Sequence, residues 1–221
     1  METFIDSALI IHASAGGFAL LSGLIAIFTK KGRKAHIRSG QIYFWSMFTV
    51  IITGLIVGWY RNNLFLQAIA IFSFYMAFTG KRVLRNKKEI TPKAIDWFVN
   101  ILGISVALSM VFFGIMVLLK VGFAGIAPML LVFGLLLLAM TVGDLRKMIT
   151  KKFVKNAWLF DHISRMSGSF IATSTAFLLV NVSFDPAWVM WLLPTAIGTP
   201  LIFKITSKWK KKLEPKKVSR K

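Results

Sequence analysis

The sequence contains no cysteine, which excludes disulfides, thiolate metal sites, iron–sulfur clusters and cysteine nucleophiles. Acidic residues are scarce: eight Asp and Glu stand against 28 Lys and Arg, a formal charge of +20 over 221 residues. None of the eight falls near the middle of an apolar run, which speaks against a transporter driven by protons or sodium through a mid-membrane carboxylate. Histidine is limited to His12, His36 and His162. No HExxH, Walker loop, GxGxxG or Ser/His/Asp arrangement occurs in a setting that gives it meaning. The opening residues carry Glu2 and Asp6 but no Lys or Arg. The first apolar run therefore lacks the positive leader of a signal peptide and is expected to persist as a helix.

What is present is grease. Hydrophobic residues make up 56% of the chain and charged residues only 16%, a balance far from that of a water-soluble domain of this length. A helix needs about 20 apolar residues to cross a hydrocarbon core of about 30 Å. Runs of that kind lie at about 7–29, 41–60, 64–80, 94–119, 126–143, 158–181 and 187–205. The Lys and Arg collect in every second connection: after the first run, after the third, after the fifth and after the seventh. The remaining connections carry only Arg61, Lys120 and Asp185. Since basic loops stay on the cytoplasmic side, this alternation predicts an all-α, polytopic transmembrane bundle. Its seven helices would have the amino terminus outside and the carboxyl terminus in the cytoplasm. The domain reading is a single bundle over 1–205 followed by a basic cytoplasmic tail over 206–221.

Basic residues placed between membrane spans point to anionic lipid headgroups as the partner, at about 1 kcal/mol per residue near the surface, and not to nucleic acid. Thr91-Pro92 and Asp185-Pro186 read as N-cap and first-turn proline of the fourth and seventh helices, and Asn156 as a cap for the sixth. Trp45, Trp59, Trp97, Trp158, Trp188 and Trp191 fall near expected helix ends, as interfacial belt residues do. Pro194 and Pro200 are expected to bend the last helix.

Ionisable groups within a membrane are costly and so mark candidate sites. Here they are His12, Asp96, Asp161, His162 and Arg165, with His36 at the inner mouth of the second helix. Ala15, Ala19 and Gly23 form a small-residue stripe beside His12, suited to a close helix neighbour or to homo- or hetero-oligomers. His12 then faces the bundle, either hydrogen-bonded between helices or as a metal or haem ligand. On the sixth helix Asp161 and Arg165 are four apart and can form an intrahelical ion pair. His162 and Met166, also four apart, offer imidazole and thioether to haem iron or copper, or simply pack. Asp96 and Asn100, one turn apart, can bond each other or cap a helix. Depth separates His12 from His162 by roughly 15 Å along the membrane normal. His36 with His162 is therefore the one plausible cross-helix histidine pair, the other reading of His36 being an exposed residue among headgroups.

The segments HASAGGFALLSG from His12, HIRSGQIY from His36 and HISRMSGSFIATSTA from His162 resemble a family of bacterial multi-pass membrane proteins of unknown function. In that family a first-helix histidine precedes glycines and a His-Arg-x-x-Gly-x-x-Tyr element opens the second helix. Ile37 departs from that pattern, with Arg38 one place later. The resemblance implies a helical bundle in the bacterial plasma (inner) membrane and supplies no substrate. A looser architectural likeness to cytochrome b561-type bundles implies at most one bis-histidine haem. Two expectations follow. The first is a non-enzymatic binding, transport or accessory bundle with no cofactor; its transporter form has a cavity lined by Ser14, His12, Asn100, Ser105 or Thr173. The second is a redox or metal-binding protein using His36 and His162, with haem b or a transition metal.

Overall fold

Every backbone donor and acceptor in a hydrocarbon layer must bond within its own segment, so seven long apolar runs leave the chain little choice but helix. A computed structural model describes residues 2–123 and 125–213. Among them lie α1 (Glu2–Phe28), α2 (Lys34–Tyr60), α3 (Leu64–Arg82), α4 (Ala94–Val121), α5 (Ala127–Thr150), α6 (Ala157–Asn181) and α7 (Ala187–Leu213). All seven are long and apolar enough to cross a membrane, so the chain is a multi-pass integral membrane protein. A short 3₁₀ turn, Val83–Arg85, follows α3. The connections after α1, α3 and α5 share one end of the bundle, and that basic end is the one the charge rule assigns to the cytoplasm.

The helices outrun the apolar segments at several ends, because Lys and Arg let a helix continue into the headgroups while their stems stay on apolar surface. α2 opens at Lys34, so Trp45 lies well inside it. α7 continues to Leu213 through Lys204, Lys208, Lys210, Lys211 and Lys212. The first part of the expected tail is thus helical, and 214–221 lie outside the described residues. Pro194 and Pro200 both sit within this helix. α5 runs on to Thr150 and so takes Asp144, which follows the apolar run at 126–143, into the helix.

Start signals were met in place more than in mechanism. α4 begins at Ala94, past Pro92, because the Asp96 carboxylate accepts the Lys93 backbone N–H at 2.8 Å and closes the first turn there. Asn156 precedes α6 but is left-handed, with φ 65°, and its side chain makes no capping bond. α4 stops at Gly122, where φ is +74°, a backbone region open to glycine without steric penalty.

α3 and α6 organise the packing. α3 touches α2, α4, α5 and α6, while α6 touches α1, α3 and α7. One apolar cluster joins Phe72, Tyr75 and Met76 of α3 to Ala107 and Met110 of α4 and to Met129, Leu130, Phe133 and Leu137 of α5. Trp188 and Trp191 of α7 pack against it, so these two tryptophans serve the core as well as a helix end. A second cluster joins Ala19, Tyr43, Met47 and Ala77. The α1 stripe is used within the protomer: Ala15, Ala19 and Gly23 are buried, and a Cβ at Gly23 would fall 2.5 Å from the Phe170 ring.

Close approach makes a measurable difference between glycines. A Cβ at Gly103 would lie 2.8 Å from the Thr141 methyl and 3.0 Å from the Tyr75 ring, whereas one at Gly16 meets nothing within 4 Å. Gly103→Ala is expected to lower stability by about 1–3 kcal/mol through overpacking, and Gly16→Ala to be neutral or slightly stabilising. Thermal unfolding of the two variants in the same detergent checks the contrast; equal midpoints would contradict the α3–α4–α5 packing described.

Candidate polar site at the basic end

Arg165 lies one turn beyond His162 on α6, and burying a guanidinium is tolerable only against a counter-charge. The structure gives it Asp144 of α5. Arg165 Nη2 donates to Asp144 Oδ1 at 2.7 Å, with side-chain exposures of 7% and 15%. The expected Asp161–Arg165 pair does not form; Asp161 instead accepts from Lys147 of α5 at 2.6 Å. The reason is geometric: Asp144 and Lys147, about one turn apart on α5, reach Arg165 and Asp161, one turn apart on α6, so each of these takes its partner from the other helix.

The pair is the centre of a wider network. Tyr75 Oη donates to Asp144 Oδ2 at 2.7 Å, and Arg165 Nη1 donates to Thr79 Oγ1 at 2.9 Å. Asn100 Nδ2 donates to Tyr75 Oη at 3.1 Å and to the Thr141 carbonyl at 3.0 Å. Four helices are tied by these bonds: α3, α4, α5 and α6. Asp96 takes no part and does not bond Asn100; it accepts from Arg82 Nε at 2.7 Å while closing its own helix start.

The histidines divide as depth demanded. His12 bonds Thr53 Oγ1 of α2 through Nδ1 at 2.9 Å, which matches the interhelical reading and keeps it apart from the others. His36 and His162 come together, with ring centroids 6.4 Å apart and planes at 82°. Each holds its Nδ1 against a backbone carbonyl of another helix: Ala26 of α1 at 3.0 Å for His36 and Gly80 of α3 at 2.8 Å for His162. Both carbonyls lie in the last turn of their helix, where no intrahelical donor reaches them. Lys31 donates to the same Ala26 carbonyl at 2.8 Å, and burial pushes its ammonium pKa down. Met166 packs its sulfur on Gly80, where a Cβ would be 3.0 Å away. Ser169 bonds Tyr43 Oη at 2.8 Å, with Thr173 at 3.3 Å.

A cavity of about 70 Å³ adjoins the network at the basic end, lined among others by Tyr75, Arg82, Ile90, Asp96, Asn100 and Asp144. Asn100 is 2% exposed, and its Oδ1 has no hydrogen-bond partner. A wider groove of about 780 Å³ runs between α1 and α2 and includes Ser14 and Arg38. The five residues of the transporter expectation are thus not one lining: Asn100 lines the cavity and Ser14 the groove. Ser105 is exposed and Thr173 is buried against Tyr43. Sequence reasoning missed Asp144 and Tyr75. The signal for Asp144 was the buried guanidinium on α6, which needs an acid from another helix once Asp161 is reached by Lys147.

Compared with known proteins, the chain matches no family model, no curated protein and no solved structure.

Removing one partner of a buried ion pair strands the other, at about 3–5 kcal/mol. Asp144→Leu and Arg165→Met are each expected to lower stability by that order. The double variant is expected to recover most of the loss, because no charge is then left unpaired. Thermal unfolding of the three proteins in one detergent measures the coupling; additive losses would show that the two side chains do not interact.

Proposed function

We propose that this protein is a non-enzymatic binding protein of the bacterial plasma (inner) membrane, with its basic end in the cytoplasm. Its binding site is the cavity between α3, α4 and α5. The observation that carries this reading is the unpartnered Oδ1 of buried Asn100, a residue that lines the cavity. A buried acceptor without a donor costs about 1–3 kcal/mol, and a solute bearing N–H or O–H groups removes that cost when it binds.

The lining also suggests the class of solute. Asp144 and Asp96 keep unused acceptor lone pairs after their bonds to Tyr75, Arg165, Arg82 and Lys93. Arg85 also lines the cavity and forms no ion pair among the described residues. Acid acceptors and guanidinium donors line the same cavity, an arrangement that complements a small zwitterion of the amino-acid class. The cavity of about 70 Å³ holds only a small molecule. The basic loops gathered at one end of the bundle suit anionic headgroups, which supports the membrane assigned.

Two measurements test the reading. Millimolar glycine is expected to raise the thermal midpoint of the detergent-purified protein, and trimethylglycine, which lacks N–H donors, to raise it far less. Ile90→Trp, which fills the cavity from a non-helical segment, is expected to abolish the glycine effect. Equal responses to the two solutes, or an undiminished response in Ile90→Trp, would refute the site. For orientation, a cysteine at Lys88 is expected to react with an impermeant maleimide only in opened cells and one at Phe123 in intact cells; the reverse pattern would invert the topology.

A further inference from the structure

An apolar helix face in hydrocarbon needs no partner beyond acyl chains. The outer side of α1 and α2 departs from that pattern along one strip. α2 carries Lys34, Arg38 and Gln41 near its start. All three are exposed, and neither Lys34 nor Arg38 forms an ion pair among the described residues. Lys34 and Arg38 stand one turn apart and so share a face. That face leads into the groove of about 780 Å³ between the two helices, where Arg38 and Gln41 give way to Ile42 and Trp45 of α2 and to Phe18 and Ile11 of α1. These four apolar side chains are exposed, so the groove lies open to the hydrocarbon around the bundle.

We propose that the groove binds one anionic glycerophospholipid of the cytoplasmic leaflet, with its phosphate on Arg38 and an acyl chain laid between α1 and α2. The length fits. Along α2 the lining runs from Arg38 to Thr49, about 16 Å at 1.5 Å per residue, and one leaflet of a hydrocarbon core of about 30 Å is about 15 Å thick. The order of groups fits as well. Arg38 presents a fork of donors suited to phosphate oxygens, and Gln41, one turn deeper, can donate to an ester carbonyl below the phosphate. The walls are fixed before the lipid arrives: His12 bonds Thr53 across the two helices at 2.9 Å, and His36 holds the Ala26 carbonyl at 3.0 Å. A preformed site costs little ordering on binding.

Other occupants satisfy only part of this surface. Copies threaded alike bring their basic ends to the same side of the membrane, so a second copy seated on Arg38 would add like charge to an uncompensated cation. A soluble phosphate would leave Ile42, Trp45 and Phe18 uncovered. The site also differs from the general attraction of basic loops for anionic lipid, because it requires the groove and not charge alone.

The test titrates the full-length protein in detergent with dioleoyl phosphatidylglycerol or dioleoyl phosphatidylcholine and counts bound lipid by native mass spectrometry. One phosphatidylglycerol per chain is expected to be retained, and phosphatidylcholine, whose choline repels the same cations, more weakly. Arg38→Gln removes the charge, and Ser14→Trp fills the groove from α1. Each is expected to weaken phosphatidylglycerol binding about tenfold or more, the loss of one charge-assisted contact or of the acyl seat. Lys88→Gln removes a charge from the same end outside the groove and is expected to change nothing. All three replace exposed residues, so the lipid-free variants are expected to unfold at the wild-type midpoint. Equal retention of the two lipids, an equal loss in Lys88→Gln and Arg38→Gln, or undiminished binding in Ser14→Trp would overturn the site. Displacement of the lipid by glycerol phosphate would overturn it in favour of a soluble phosphate. A dimer that excludes lipid and is lost in Ser14→Trp would overturn it in favour of a second copy.

Discussion

Lipid offers no hydrogen bonds, and most of what distinguishes this bundle follows from how it satisfies polar groups where water is missing. Each helix closes its own backbone in the span, but the last carbonyls of a helix have no partner along the chain. At the basic end, side chains from other segments supply the donors: Lys31 and His36 for α1, His162 for α3. The connection between helices is thereby drawn tight at the end that also carries the polar network and the cavity.

The same constraint explains why α3 and α6 stand at the centre. α6 bears a buried guanidinium that must meet an acid, and α3 supplies Tyr75 and Thr79 to bind the two members of that pair. Asn100 extends the chain of bonds to α4. Apolar packing sets which helices touch, since hydrocarbon provides little driving force between them beyond close fit. The polar bonds then set their register, because a displacement of one residue along α6 would separate Arg165 from Asp144.

Much of this was legible in the residues. Seven spans and the charge alternation follow from where the Lys and Arg sit, and the depth argument singles out His36 with His162. The partners of Arg165 and Asp161 were not legible. Spacing of four along a helix favours their mutual contact, and nothing local reveals that Lys147 reaches Asp161 first. Asp144 was hidden by the company it keeps: with Arg146 and Lys147 close behind, it looks like the start of a polar loop. In fact the helix carries on for another turn and more, and the acid meets Arg165 while Arg146 is exposed and Lys147 turns to Asp161.

The lengths of neighbouring helices differ in a way that bears on access. α3 has 19 residues and α4 has 28, about 28 Å against about 42 Å at 1.5 Å per residue. A hydrocarbon layer of about 30 Å is matched by the first and exceeded by the second. Because α3 is about as long as the layer is thick, its terminal Arg82 falls at the end of the span. A solute arriving from the aqueous phase would reach the crevice beside that arginine without ever being immersed in oil.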